Sequence, residues 1–272
     1  MEIVKIINNV EKELNKCGID ERAEAEWLVA QALGVSRNAL YMFESVSDKQ
    51  KIKINDYLAK RKKRIPLDYI TGESEFYGLK FAVSSAVLIP RPETELLVEE
   101  VLKVAKEKDK ILDLGTGSGA ISIAIKKSKN VNVLAVDISN DALAIARKNA
   151  KNNNVAVEFL QSDFFSNVKT EQYDIIVSNP PYIPTKDILY LQEEVKNYEP
   201  ILALDGGMSG LECYERIVGE LDKFLRVGGF CFFEIGIGQE NEIKKLFNSN
   251  YQVEVIKDYN NINRIIKARR IK

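Results

Sequence analysis

Four short stretches carry residue types that could do chemistry together. The first is Asp113-Leu114-Gly115-Thr116-Gly117-Ser118-Gly119. Glycine tolerates positive φ and lets the backbone approach a ligand closely. The G-x-G-x-G spacing differs from the G-x-G-x-x-G dinucleotide fingerprint, and no Lys-Ser/Thr follows as in a phosphate-binding P-loop. Alone, such a turn can be a turn and nothing more. The second is Asp137, 22 residues after Gly115. In Rossmann-type units an acidic residue at about 20 residues accepts hydrogen bonds from ribose hydroxyls. That spacing points to a cofactor containing a nucleoside; an ordinary cap aspartate is the plainer alternative. The third is Ser162-Asp163-Phe164-Phe165. Asp163 could take an adenine amino group and Phe164 could stack on the base, although a phenylalanine is more often core.

The fourth stretch is Asn179-Pro180-Pro181-Tyr182. Each proline locks its own φ and pushes the residue before it into an extended conformation. Neither proline offers an N–H, so the turn presents acceptors. The Asn179 side-chain oxygen and the Pro180 carbonyl could converge on an incoming NH₂ group, with Tyr182 adding a flat face and a hydroxyl. A planar amide or amine, with two N–H donors, suits such a site.

Composition narrows the chemistry. The 272 residues contain no histidine. That excludes Ser-His-Asp and Cys-His triads, an imidazole general base and any zinc site built with histidine. Lys and Arg number 39 against 40 Asp and Glu, a net charge of −1. This balance argues against non-specific nucleic-acid binding as the main activity. Cys17, Cys213 and Cys231 are odd in number and far apart, which fits small apolar fillers in a reducing cytoplasm. No apolar run has the length of a membrane span, and the opening residues are too polar for a secretory leader.

The elements that must position these residues alternate from Lys110 onward. Strands are expected at 111–114, 131–136, 155–160, 173–177 and 230–235, with a helix at 141–153 and closing antiparallel strands at 251–256 and 264–268. Alternating β and α segments imply a mostly parallel sheet with helices on both faces. Such sheets bind ligands beyond the carboxyl ends of their strands. The first 65 or so residues read as helices. Ile3, Ile6, Ile7, Val10 and Leu14 follow a helical stripe. Asp20 is the expected cap of a second helix carrying Ala23, Trp27 and Ala30, and a fourth begins after Ser47. Between Tyr69 and Pro90, aromatic and β-branched residues flanked by Gly72 and Gly78 suggest a hairpin, with Pro90-Arg91-Pro92 as a stiff exit.

With these stretches together, the chain resembles class I methyltransferases that use S-adenosylmethionine. Asn-Pro-Pro-Tyr resembles the turn of those that methylate planar nitrogen. Further segments are similar to the HemK family: Pro66-Leu67-Asp68-Tyr69-Ile70-Thr71-Gly72, Glu75-Phe76-Tyr77-Gly78, Ile89-Pro90-Arg91-Pro92-Glu93-Thr94-Glu95, Ala203-Leu204-Asp205-Gly206-Gly207, and Glu234-Ile235-Gly236 followed by Gln239. The chain departs from that pattern at Asn260-Asn261-Ile262-Asn263-Arg264. The resemblance implies an α/β fold, Rossmann-like, with a seven-stranded mostly parallel sheet and a small N-terminal helical bundle joined by a β-hairpin. It implies a helical substrate-docking domain over 1–72, a hairpin linker over 73–90 and a methyltransferase domain over 91–272.

The same resemblance implies methylation of the glutamine in the Gly-Gly-Gln motif of class 1 peptide chain release factors. Gly115, Thr116, Gly117, Ser118 and Gly119 would wrap the methionine end of the cofactor. Asp137 would bind the ribose, Asp163 and Phe164 the adenine, and Asn179, Pro180, Pro181 and Tyr182 the substrate amide, with Asn179 also beside the cofactor. No metal, stable nucleic acid or membrane is implied, and a cytoplasmic monomer is the default. A nucleic-acid amino-methylase with the same turn is the rival enzyme, and a non-catalytic cofactor-binding module is the rival of another class. Two features stay open. Glu93, Thr94 and Glu95 either line the site or cap a helix. The basic run Lys60-Arg61-Lys62-Lys63-Arg64 is either a solvated helix end or a contact to a partner.

Overall fold

The computed structural model describes residues 2–43 and 45–272. They form two compact units. One comprises the residues up to Gly72 together with Gln192–Tyr198; the other comprises Glu73–Leu191 and Glu199–Lys272.

The first unit is helical: α1 (Glu2–Asn15), α2 (Arg22–Leu33), α3 (Asp48–Arg61) and α4 (Leu67–Thr71), with a 3-10 turn at Arg37–Met42. In α1, Ile3, Ile7, Val10 and Leu14 are buried on one face. In α2 the buried set includes Ala25, Leu28, Val29 and Ala32, while Trp27 is exposed. Of the three residues read onto this helix, Ala30 is buried, Ala23 half-buried and Trp27 exposed. Residues 25, 28, 29 and 32 repeat with the same helical period and bury aliphatic carbon without a polar indole N–H. The Asp20 cap is also corrected: Glu21 holds the cap position, without a side-chain hydrogen bond. The α3 start is better specified, because Ser47 and Gln50 form a reciprocal capping box.

The second unit opens with a hairpin, β1 (Glu73–Phe76) and β2 (Leu79–Ala82), and then α5 (Glu95–Val104), β3 (Lys110–Leu114), α6 (Ala120–Ser128), β4 (Asn132–Asp137), α7 (Asn140–Asn152), β5 (Glu158–Gln161) and β6 (Tyr173–Ser178). After β6 the chain leaves to form α8 (Glu193–Tyr198) in the first unit. It returns for α9 (Glu212–Phe224), β7 (Leu225–Glu234), α10 (Glu240–Leu246), β8 (Tyr251–Lys257) and β9 (Asn263–Arg270). The sheet has seven strands in the order β5-β4-β3-β6-β7-β9-β8. Neighbours from β5 to β7 are parallel, and β9 is antiparallel to both β7 and β8. Alternation along each strand feeds a core on either face. Ile111, Ile175, Val177 and Phe232 face one core; Leu112, Leu114, Ile176 and Phe233 face the other. The order of strands reverses between β3 and β6, which opens a crevice at their carboxyl ends.

The hairpin packs on the second unit: Phe76 and Phe81 are buried in the first of these cores, and Asn149 of α7 accepts from Ala82 N at 2.7 Å and donates to Ala82 O at 3.0 Å. Two strand bounds shift. The third strand starts at Glu158 rather than Val155. The last parallel strand starts at Leu225, through Gly228-Gly229. A side chain at Gly229 would put its Cβ 2.8 Å from Asp174 O, so glycine there serves the strand rather than ending it.

Within the first unit, the basic run is spent on ion pairs. Arg61 is buried and pairs with Glu24 at 2.7 Å and with Glu194 of α8 at 2.9 Å. Arg64 meets Glu193 at 3.4 Å and Glu194 at 3.3 Å, and Lys62 meets Glu13 at 2.7 Å. The Tyr198 hydroxyl donates to Lys63 O at 2.5 Å. Arg61, Arg64 and the Lys63 carbonyl thus clasp α8, while Lys60 and Lys62 pair with Asp56 and Glu13.

Candidate active site

The site lies in the second unit, where β3, β4 and β6 end. Gly115 N and Thr116 N both donate to Val136 O at 2.9 Å, which folds the glycine-rich turn back over β4. Gly115 and Gly117 have φ of +74° and +55°, and a Cβ on either would point into open space. Gly119 differs: its Cβ would stand 2.9 Å from Ile123 Cδ1 and 3.2 Å from Ala146 Cβ. It permits close packing of α6 on α7 and leaves the wall of the site to its neighbours.

Two carboxylates flank this turn. Asp113 is fully buried; Oδ2 accepts from Thr116 Oγ1 at 2.7 Å and from Ser122 Oγ, while Oδ1 has no partner. Burial pushes its carboxyl up to about 6. Asp137 Oδ2 accepts from Gly117 N at 2.8 Å and Oδ1 from Ser139 N at 2.9 Å. Burial raises this carboxyl too, against the pull of those backbone N–H groups.

A cavity of about 470 Å³ runs along these groups. Of the residues singled out in the sequence, Gly115, Thr116, Gly117, Ser118, Asp137, Asp163, Phe164, Asn179 and Pro181 line it, whereas Gly119, Pro180 and Tyr182 do not. Asp113 lies behind the wall, whereas the side-chain-free glycines Gly115 and Gly117 and the spare lone pairs of Asp137 line the cavity and fit a cofactor carrying a ribose. Phe164 has φ +48°, unusual for a bulky residue. The Arg216 guanidinium lies 4.8 Å from the Phe164 ring centre and pairs with Asp163 at 2.7 Å. Arg216 was not legible in the sequence, because nothing local marks a residue on α9 as a neighbour of β5. Cys213 also reaches the cavity, and burial pushes its thiol up to about 11, far from a reactive thiolate.

Asn179 follows β6 directly. Its Nδ2 donates to Thr94 Oγ1 at 3.2 Å. That answers the question left open at residues 93–95. Thr94 is buried, lines the cavity and meets Asn179; Glu95 accepts from Tyr77 N at 2.7 Å; Glu93 is exposed. Pro180 is buried, and Tyr182 packs half-buried on the second of the two cores. Burial pushes the Tyr182 phenol up to about 12, so it keeps its proton.

Loops from afar fix the turn. Gln239 Nε2 donates to Tyr182 O at 2.9 Å and Gly210 O at 3.2 Å, and Gln239 Oε1 accepts from Gly236 N at 2.9 Å. A Cβ on Gly206 would lie 2.7 Å from Tyr182 Cα, and one on Gly210 would lie 2.5 Å from Tyr182 O. Among the described residues, no cluster of three or more Cys, Asp or Glu side chains could hold a metal ion.

A methyltransferase small domain matches residues 92–208, and a PrmC N-terminal domain matches residues 5–72. A solved methyltransferase from Pyrococcus furiosus aligns with a TM-score of 0.56 at 21% identity, covering 71% of this chain and 89% of that one. Fold and site define a class I S-adenosylmethionine-dependent methyltransferase. Release factor glutamine methyltransferases from Geobacter sulfurreducens and Thermodesulfovibrio yellowstonii are 38% and 37% identical, covering 98% and 97% of this chain and 96% and 97% of their own. The chain belongs to the release factor glutamine methyltransferase family.

Proposed function

We propose that this protein methylates the side-chain amide nitrogen of the glutamine in the Gly-Gly-Gln motif of class 1 peptide chain release factors. The observation that carries the reading is that Asn179 shares one cavity wall with the glycine-rich turn and Asp137, its amide nitrogen tied to Thr94. S-adenosylmethionine supplies an electrophilic methyl group on a sulfonium sulfur. Gly115 to Ser118 shape the methionine end, with Gly119 packing the turn behind them, Asp137 takes the ribose, and Asp163 and Phe164 take the base.

An amide nitrogen is a poor nucleophile because its lone pair is conjugated with the carbonyl. Asn179 Oδ1 and the Pro180 carbonyl hold its two N–H groups, and Pro181 and Tyr182 stiffen the turn that carries them. Orientation of this kind contributes up to about 7–11 kcal/mol in favourable cases. As the N–C bond forms and the sulfonium S–C bond breaks, leaving a neutral thioether, positive charge moves to nitrogen, where these acceptor dipoles stabilise it. The nitrogen then releases a proton to water, so no histidine is needed.

The rival substrate, a base amino group in nucleic acid, has less support. The net charge is −1, and Arg61 and Arg64 of the one dense basic run are engaged in ion pairs. Among the described residues no helix is long and apolar enough to cross a membrane. The reading includes a cytoplasmic monomer without a stable nucleic-acid partner, which light scattering with and without RNA checks. The deciding experiment offers release factor, DNA and RNA separately with the cofactor. Mass spectrometry should find one added methyl group on the Gly-Gly-Gln glutamine; methylation of DNA or RNA alone sinks the proposal.

A further inference from the structure

Glu234 closes β7 behind the Asn-Pro-Pro-Tyr turn, and the reaction as described leaves it without a role. Its side chain is 2% exposed, and Oε2 has no hydrogen-bond partner. Burying a carboxyl with a bare oxygen costs stability that an apolar residue would not. Four elements face it. The 3-10 turn Pro92–Thr94 brings the Thr94 hydroxyl and the Glu93 carboxylate, and the turn after β6 brings the Asn179 amide and the Tyr182 phenol. From α9, the Tyr214 hydroxyl donates to Glu234 O at 2.7 Å. From β9 comes the Arg264 guanidinium, itself paired with Asp258 at 3.4 Å.

The polarity of the hydrogen bonds gives this carboxyl a use. A carboxylate only accepts, whereas a hydroxyl both donates and accepts. When the Thr94 hydroxyl gives its proton to Glu234, its lone pairs are left for Asn179. The group of Asn179 found there is Nδ2, the donor. A primary amide held by its nitrogen turns its oxygen the other way. Resting on the function proposed above, we propose that Glu234 is a positioning residue: acting through Thr94 and on the amide itself, its carboxylate fixes Asn179 with Oδ1 offered to the substrate NH₂ group.

Protonation reverses the chain. A neutral carboxyl donates where the carboxylate accepted, which frees the Thr94 proton to point at Asn179 and favours the rotamer with the amide oxygen turned inward. Its NH₂ then opposes the substrate NH₂, donor to donor. Burial pushes the Glu234 carboxyl up to about 7; Thr94, Arg264 and Asn179 pull it down, and Glu93 pushes it further up. Turnover therefore rises with pH as this carboxyl ionises.

The test compares wild type, Glu234→Gln, Thr94→Val and Thr94→Ser on a release factor across about pH 5.5 to 8.5, a span that brackets a raised carboxyl. Wild-type kcat should fall on the acid side with a limb near pH 7, with little change in KM. Glu234→Gln should lose the limb and run roughly tenfold slower at the alkaline end, the scale of one misplaced hydrogen bond. Thr94→Val should behave likewise, and Thr94→Ser, which keeps the hydroxyl, should restore the limb. An unchanged limb in folded Glu234→Gln or Thr94→Val overturns the proposal. A second readout needs no turnover: NMR of the asparagine side-chain amides, with Asn179 assigned by its loss in Asn179→Ala. Its signals should titrate near neutrality in wild type and stay still in Glu234→Gln. Signals that titrate without any methylation of release factor sink the function and keep the positioning role. Methylation with static wild-type signals does the reverse.

Discussion

The two ends of the cavity are built by different means. The end at β3 and β4 is made of backbone. Gly115 and Gly117 leave open space, their N–H groups folding the turn onto Val136 O and Asp137 Oδ2, and Asp137 at the end of β4 supplies charge. The end at β6 is made of side chains pinned from elsewhere in the chain. Thr94 holds the Asn179 amide, Gln239 holds the Tyr182 carbonyl, and Gly206 and Gly210 leave room for that turn. A cofactor common to many enzymes can be bound by local geometry alone. A substrate amide that must be both oriented and distinguished needs a turn braced from several directions.

This contrast can be broken at either end. The largest effect is expected at the braced end. Asn179→Ala should lower kcat on the order of 10²–10³-fold, as loss of one transition-state hydrogen-bonding group does elsewhere. Calorimetry should find its cofactor affinity nearly intact; near-normal turnover would remove Asn179 from its role. Next is the backbone end. Asp137→Ala should weaken cofactor binding about 10–100-fold, the scale of a charge-assisted hydrogen bond, and unchanged calorimetric affinity would exclude the ribose contact. Gln239→Ala strips one acceptor and two donors from the brace. It should cost about 1–3 kcal/mol in denaturant unfolding and reduce kcat more than cofactor affinity. The smallest effect on the site is expected at Gly119→Ala, where the left-handed backbone costs about 1–2 kcal/mol and the new Cβ crowds Ile123 and Ala146 besides. Stability should fall and cofactor affinity should hold, because Gly119 is off the cavity wall. Gly117→Ala, on the wall, should lower that affinity; equal binding in the two variants would erase the distinction.

The same contrast explains what was legible in the sequence. The backbone end reads well, because its residues are contiguous or one βα step apart. Gly115, Asp137 and Phe164 each sit just beyond a strand that periodicity reveals. Asn179 was legible for the same reason, following β6 directly. Its support was not. Thr94 precedes it by 85 residues and Gln239 follows Tyr182 by 57, and no local rule links positions so far apart. The helical unit shows the limit at closer range. Trp27 was placed on its helix, but nothing local shows that aliphatic neighbours on the adjacent face take the core and leave it exposed. The basic run was ambiguous because its acidic partners at 193 and 194 lie on a segment far along the chain.

That clasp has a consequence during synthesis. The amino-terminal unit is discontinuous in the gene product, since its last helix is Glu193–Tyr198. At translation speeds of about 5–20 residues per second, α1 to α4 wait on the order of ten seconds for α8 to emerge. Until then Arg61 and Arg64 lack Glu193 and Glu194. The nascent bundle is a half-closed buckle, and truncation at residue 72 would leave it open permanently.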